Sequence, residues 1–164
     1  IDLAARYDRR IIVEEGLKMR EIECAVLGND DPSASLPGEY IIKDKAKAFL
    51  DYQEKYSATG NNEFVVPAPV SAELASKIQQ MAIAAFKAID GSGLARVDFF
   101  LRSDTGSLLI NEINTMPGLT EASGYPKMWA GTGLAFRDVL DQLIELAEQR
   151  FDDRARNQTS RVAD

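Results

Sequence analysis

The chain has 164 residues, 45% of them hydrophobic, with a formal charge of −7 and no histidine. That length can bury one sizeable core, so a single globular domain is the natural expectation. The acidic charge argues against broad nucleic-acid binding, no apolar run approaches the roughly 20 residues needed to span a bilayer, and no charged-then-apolar leader is expected at the start. Without histidine, Ser-His and Cys-His nucleophilic schemes lack their base, and histidine-ligated zinc is excluded. The single cysteine, Cys24, cannot form an intrachain disulfide. Its apolar surroundings, Ile22 to Leu27, suit a small core residue better than a reactive thiol, and a reducing, cytoplasmic setting is compatible with it.

In chain order, IDLAARYDRR is polar and ends in a basic cluster. Ile11, Ile12 and Val13 read as a short buried strand, with Glu14, Glu15, Gly16 and Leu17 at its end. Strand ends are common places for ligand contacts, but two glutamates there also suit a solvated terminus. EIECAVL (21–27) alternates, with Ile22, Cys24 and Val26 on one face and Glu21, Glu23 and Ala25 on the other. It reads as a half-buried strand, turned by Gly28-Asn29-Asp30-Asp31-Pro32. Glu39 to Ile42 is a further strand.

Residues 43–62 form a long polar stretch with Phe49, Tyr52 and Tyr56 among Lys43, Lys45, Lys47 and Lys55. A connection this long is a functional loop or a disordered one, expected to be mobile without ligands. Glu63 to Val66 returns as a strand, stopped by Pro67 and Pro69. Ser71 caps a helix with Glu73 in its first turn, a core stripe of Leu74, Ile78, Met81, Ala85 and Ile89, and Gly91 as its stop. A second helix spans about Ala135 to Arg150, with Phe136, Val139, Leu140, Leu143 and Ala147 on one side. The polar residues past 151 are expected to fray, giving one domain over 1–151 and a disordered tail over 152–164.

The densest pattern lies between, in LARVDFFLRSDTGSLLINEINTMPGLT (94–120). Leu94 to Arg102 and Ser107 to Asn114 read as strands, with Asp104-Thr105-Gly106 as a hairpin turn. A turn centred near Thr105 pairs residues whose numbers sum to 210, so Asp98 faces Glu112 and Arg96 faces Asn114, all on one side. Opposed carboxylates lie roughly 5 Å apart and destabilise a bare sheet. A hard divalent cation would turn that repulsion into binding, with Asn114 adding an amide oxygen. An equally open reading makes these residues the wet face of a half-exposed hairpin. No GxxxxGK[ST] loop or GxGxxG occurs, and the residues by themselves lead to an α+β domain with a plausible Mg²⁺ site.

Five segments carry a resemblance that goes further: EEGLKMREIECAVLG (14–28), DYQEKY (51–56), ARVDFFL (95–101), INEINTMPGLT (110–120) and YPKMW (125–129). In this order and spacing the chain resembles the ATP-grasp enzymes, and among them the D-alanine–D-alanine ligases. The resemblance implies the carboxy-terminal subdomain of that fold, a mostly antiparallel sheet flanked by helices. It implies Asp98, Glu112 and Asn114 as ligands of a pair of Mg²⁺ or Mn²⁺ ions. Glu14, Glu15, Gly16 and Leu17 would hold the adenine, Glu21 the ribose, and Phe49 and Phe100 the adenine side of the cleft. Asn111 would belong to the same ATP site, and Lys55 would reach a terminal phosphate. Tyr56 would close a loop over the substrates, Arg96 and the Gly118 N–H would hold the oxyanion, and Ser123 would contact the second substrate's carboxylate.

The implied reaction joins two D-alanines through an acyl phosphate, for peptidoglycan precursor synthesis in the cytoplasm. Leu50, Gly124 and Gly16 depart from residues common in relatives. Tyr56 favours dipeptide over ester formation, with the D-lactate reading kept open. Ligases of this family are about twice this length, and their amino-terminal and central regions are missing here. The resemblance therefore implies a carboxy-terminal fragment, inactive alone, of a homodimeric parent that takes ATP and D-alanine and neither nucleic acid nor membrane. The alternatives are another ATP-grasp carboxylate–amine ligase and a non-catalytic binding module.

Overall fold

A computed structural model of the chain describes residues 1–42 and 62–157. Its centre is the pairing of β1 (Met19–Gly28) with β5 (Gly93–Arg102), antiparallel over their full lengths from Met19 opposite Arg102 to Gly28 opposite Gly93. On one side of this pair lie β3 (Gly38–Ile42) and β4 (Asn62–Val65), and on the other β6 (Leu108–Asn114). The sheet order is β4-β3-β1-β5-β6, with the short β2 (Ser33–Ala34) pairing the end of β1. Among the described residues every pairing is antiparallel. Helix α1 (Ala72–Ala88) covers one face, and α2 (Gly124–Thr132) and α3 (Phe136–Ala155) cover the other.

Because helices lie on both faces, β1 is buried on both sides rather than half-buried as its alternation suggested. Ile22, Cys24 and Val26 pack with Val97, Phe99 and the α1 residues Ile78, Ala82 and Phe86. Ala25 and Leu27 point the other way, to Tyr125, Met128, Trp129 and Val139. The Tyr125 hydroxyl donates to the Val26 carbonyl at 2.9 Å, tying α2 to the central strand. Burial pushes its pKa up, so the proton that makes this bond is retained.

Several local expectations change. Residues 11–13 form no strand, and Ile12 and Val13 are 84% and 77% exposed. An apolar triplet becomes a strand only where a ladder partner exists, and among the described residues none pairs with it. Ser71 caps α1 as expected, its hydroxyl accepting from Leu74 N at 3.2 Å. The left-handed turn at its end is taken by Asp90 (φ 54°), not Gly91. Gly91 serves Phe86 instead, since a Cβ there would meet the ring at 2.6 Å.

The segment containing YPKMW forms a third helix that periodicity did not reveal. It starts after Ser123 and tolerates Pro126 in its first turn, where no intrahelical N–H is needed. Helix α3 continues to Ala155, past the Arg150 expected. The loop expectation falls on residues 43–61, and most of the tail expectation on 158–164, both outside the described residues.

Cys24 is fully buried, and burial pushes its thiol from 9.0 up to about 12, outweighing a hydrogen bond with Ser35 that lowers it. It should therefore resist a thiol reagent at pH 9 in the native chain and react once urea unfolds it. Because the folded thiol keeps its proton where the unfolded one loses it, stability should fall as pH rises from about 9 towards 12. Urea midpoints across that range check the sign, with Cys24→Ala as the control that removes this contribution.

Candidate functional site

The hairpin places Asp98 opposite Glu112 and Arg96 opposite Asn114, as the sum of 210 requires. It reaches that register by two steps. Near the turn the pairs sum to one less: Leu101 faces Leu108, Phe100 faces Leu109 and Phe99 faces Ile110. Asn111 is then the extra residue of a β-bulge between the Phe99 and Asp98 pairs. Since side chains alternate, an unbulged β6 would set Asn111 against Asp98 and turn Glu112 into the α1 core. The bulge is what brings Glu112 and Asn114 to the side of Asp98.

That row extends one strand further than the hairpin. Glu23 on β1 pairs directly with Asp98, so Glu23, Asp98 and Glu112 stand side by side on three adjacent strands. Glu23 and Asp98 are buried, and Glu112 is exposed at the outer strand. Arg96 supplies the compensating cation. Its Nε and Nη2 donate to the two Asp98 carboxylate oxygens, both at 2.7 Å, and its Nε lies 3.4 Å from Glu23 Oε2. Burial by itself would lower the Arg96 pKa, but the Asp98 hydrogen bonds and the charges of Glu23 and Asp98 hold it above its ordinary value. Among the described residues, one guanidinium stands against three carboxylates in this row.

The donor chemistry of this row suits a hard divalent cation: carboxylates of Asp98 and Glu112 in register, with the amide oxygen of Asn114 two residues on. Asn114 Oδ1 accepts from Met116 N at 3.0 Å, which fixes its orientation and leaves a second lone pair. Among the described residues no three His, Cys, Asp or Glu side chains form a ready-made metal cluster. An ion here would therefore draw the rest of its ligands from water and phosphate oxygens, as Mg²⁺ commonly does.

Along the same strands lies a cleft of about 480 Å³ lined by Glu14, Glu15, Gly16, Leu17, Met19, Phe100, Leu109, Ile110 and Asn111. It joins all four residues of the 14–17 segment to Phe100 and Asn111. Met19, Leu109 and Ile110 complete its apolar wall and were not foreseen. Glu15 is held to the hairpin by Arg102 at 3.6 Å, while Arg102 also makes a bidentate pair with Asp104 at the turn. Glu21 sits outside the lining, on β1 opposite Phe100. Phe49, Lys55 and Tyr56 lie outside the described residues.

Gly118 and Ser123 come together in the loop between β6 and α2. The Ser123 hydroxyl accepts from Thr120 N at 3.3 Å and lies 2.9 Å from Thr120 Oγ1. A Cβ on Gly118 would come within 2.7 Å of Ser123 Oγ, so a side chain there would displace the Ser123 hydroxyl. Sequence reasoning passed over Glu23 by placing it with Glu21 on a wet face. The available signal was a carboxylate set between Ile22 and Cys24 in a strand that proved central.

Residues 1–145 match the family model described as D-ala D-ala ligase C-terminus. The D-alanine–D-alanine ligase of Heliobacterium modesticaldum is 48% identical over 161 residues, covering 98% of this chain and 43% of the relative. Among solved structures, the D-alanine-D-alanine ligase from Coxiella burnetii superposes with a TM-score of 0.78 at 44% identity, over 94% of this chain and 39% of its own. The VanG D-Ala:D-Ser ligase from Enterococcus faecalis gives 0.74 at 39% identity, over 88% and 41%. The fold is thus that of the ATP-grasp carboxy-terminal domain in these ligases. The chain spans well under half the length of these relatives.

The bulge generates a direct test. Asn111→Ala, which keeps the extra residue, should change stability by less than about 0.5 kcal/mol at this exposed position. Deleting Asn111 should cost at least about 2 kcal/mol, because it turns Glu112 opposite Val97 into an apolar face. Urea unfolding of both variants measures the difference.

Proposed function

The chain belongs to the D-ala D-ala ligase C-terminus family, and from that premise we propose that it forms the ATP- and metal-binding part of an ATP-dependent D-alanine–D-alanine ligase. The observation that carries this reading is the continuity of the 14–17/Phe100/Asn111 cleft with the Arg96–Asp98–Glu112–Asn114 row along one hairpin. A nucleotide base in the apolar part of the cleft would leave its phosphates near the acidic row. Asp98, Glu112 and Asn114 would hold Mg²⁺ or Mn²⁺, which supplies neutralisation of phosphate charge when bound. Glu14 to Leu17 would contact the adenine, with Phe49 and Phe100 on its side of the cleft, Glu21 would hold the ribose, Lys55 would reach a terminal phosphate, and Tyr56 would close a loop over the substrates.

In the reaction, a carboxylate oxygen of the first D-alanine attacks the γ-phosphorus of ATP and ADP leaves, giving an acyl phosphate. The amine of the second D-alanine attacks the acyl carbon, and the resulting tetrahedral intermediate expels phosphate and loses the amine proton. Arg96, a fixed cation, and the Gly118 N–H would hold the developing oxyanion, a role in which preorganised donors are worth most. Ser123 would receive the second substrate's carboxylate. The product would serve peptidoglycan precursor synthesis, with the parent a cytoplasmic homodimer.

The likeness to a D-Ala:D-Ser ligase favours one variation, in which the second substrate differs while the ATP half stays the same. Among the described residues no helix is long and apolar enough to cross a membrane.

Isothermal titration of Mg²⁺ with a non-hydrolysable ATP analogue into the chain should show saturable binding. Glu112→Gln should weaken it at least about tenfold, equivalent to about 1.4 kcal/mol. Equal binding by both proteins would remove Glu112 from the metal set. Because the chain spans 43% of its relative, the purified 164 residues should release no ADP and form no dipeptide when mixed with ATP and D-alanine. Dipeptide in that assay would show that these 164 residues suffice for ligation.

A further inference from the structure

Glu23 has no part in the assignments above, yet it is only 3% exposed and stands at the inner end of the acidic row, directly beside Asp98. Burying a carboxylate is costly unless cations and donors surround it. Two features of the structure converge on it. Its Oε2 lies 3.4 Å from Arg96 Nε, the same nitrogen that donates to Asp98 Oδ1 at 2.7 Å. The same Oε2 faces the first residue of α2, where a Cβ on Gly124 would come within 2.9 Å of it. Gly124 follows Ser123, the residue that precedes the first turn of α2. Helix amino-termini carry unpaired N–H groups and a positive dipole end, which favour a nearby anion.

We propose that Glu23 is a positioning residue, a buried anion between Arg96 on β5 and the first turn of α2, which sets the guanidinium and the Gly118–Ser123 loop relative to each other. The structural half of this inference stands on the distances alone. Its catalytic meaning rests on the ligase reading, in which Arg96, Gly118 and Ser123 surround the second substrate and the oxyanion. The nucleotide cleft lies further along the hairpin and does not include Glu23. Loss of the Glu23 charge should therefore disturb the acyl-transfer side and leave ATP binding nearly unchanged. Gly124 also gains a reason: its missing side chain leaves room for the carboxylate.

The test has a physical and a kinetic arm. In the ¹⁵N-labelled chain, the Arg96 Nε–H should be protected from solvent exchange, and Glu23→Gln should speed its exchange at least about tenfold, because the guanidinium loses one of the two carboxylates that fix it while its hydrogen bonds to Asp98 remain. Core amides of β1 and β5 should keep their protection. An unprotected Arg96 Nε–H in the wild-type chain overturns the proposal without any variant, and so does unchanged exchange in a folded Glu23→Gln. If Glu23→Gln fails to fold, Gly124→Ala is the second probe, because its methyl presses on the carboxylate from α2. A shifted Arg96 Nε–H signal supports the coupling, and an unmoved one sinks it.

In the full-length protein carrying this chain, Glu23→Gln should lower kcat with KM for ATP within about twofold, and should have no further effect when Arg96 is already Ala. Additive losses would mean that Glu23 does not act through Arg96. Absence of ligation by the wild-type protein would count against the ligase reading alone, leaving the positioning inference to the exchange measurement.

Discussion

Placing carboxylates side by side on a sheet is unfavourable unless a cation stands among them, and among the described residues Arg96 stands there. It reaches Asp98 through two short hydrogen bonds and Glu23 at 3.4 Å, while its own strand places it directly opposite Asn114. Breaking a buried pair from one side typically costs about 3–5 kcal/mol, because the partner is left uncompensated. The site's polar face and the integrity of the central strands therefore depend on the same guanidinium. Among the described residues carboxylates outnumber the guanidinium in this row, a balance that suits a divalent ion.

The face that carries this row is graded. At the Leu27 and Leu94 end it is apolar and sealed by Tyr125, Trp129 and Val139, and towards Glu23, Asp98 and Glu112 it becomes charged. Beyond the bulge, Phe100 and Leu109 make it apolar again where the 14–17 segment arches over it. An apolar slot beside an acidic row matches a ligand with a flat aromatic end and a polyphosphate end. The opposite face, against α1, is apolar through Ile22, Cys24, Val26, Val97 and Phe99, with the Arg20–Glu39 ion pair at its edge, and acts as the rigid support on which these positions are held.

Helix α2 links the two halves of the site. It is anchored from below by the Tyr125 hydroxyl on Val26 and begins at Gly124 beside the buried Glu23 carboxylate. The loop that leads into it folds Ser123 back onto Thr120 and Gly118. A short helix with only modest amphipathicity is thereby placed by polar contacts as much as by burial. This explains why hydrophobic spacing did not reveal it.

Much of the architecture was legible without coordinates: the hairpin, the Ser71-capped helix, the long carboxy-terminal helix and the one-sided grouping of Arg96, Asp98, Glu112 and Asn114 all follow from periodicity and turn chemistry, which are local. The register was reached for an incomplete reason, because the Asn111 bulge and the actual turn offset each other. Local pattern could not decide what lies on the far side of a strand. It left Ile11 to Val13 as a strand without a partner, and it gave Glu23 a wet face in a strand that two layers of helix enclose. Those outcomes depend on non-local contacts, set by which elements pack together. The residue types determined the chemistry available to this chain; only the tertiary structure decided that Glu23 joins it and that Arg96 stands between two carboxylates.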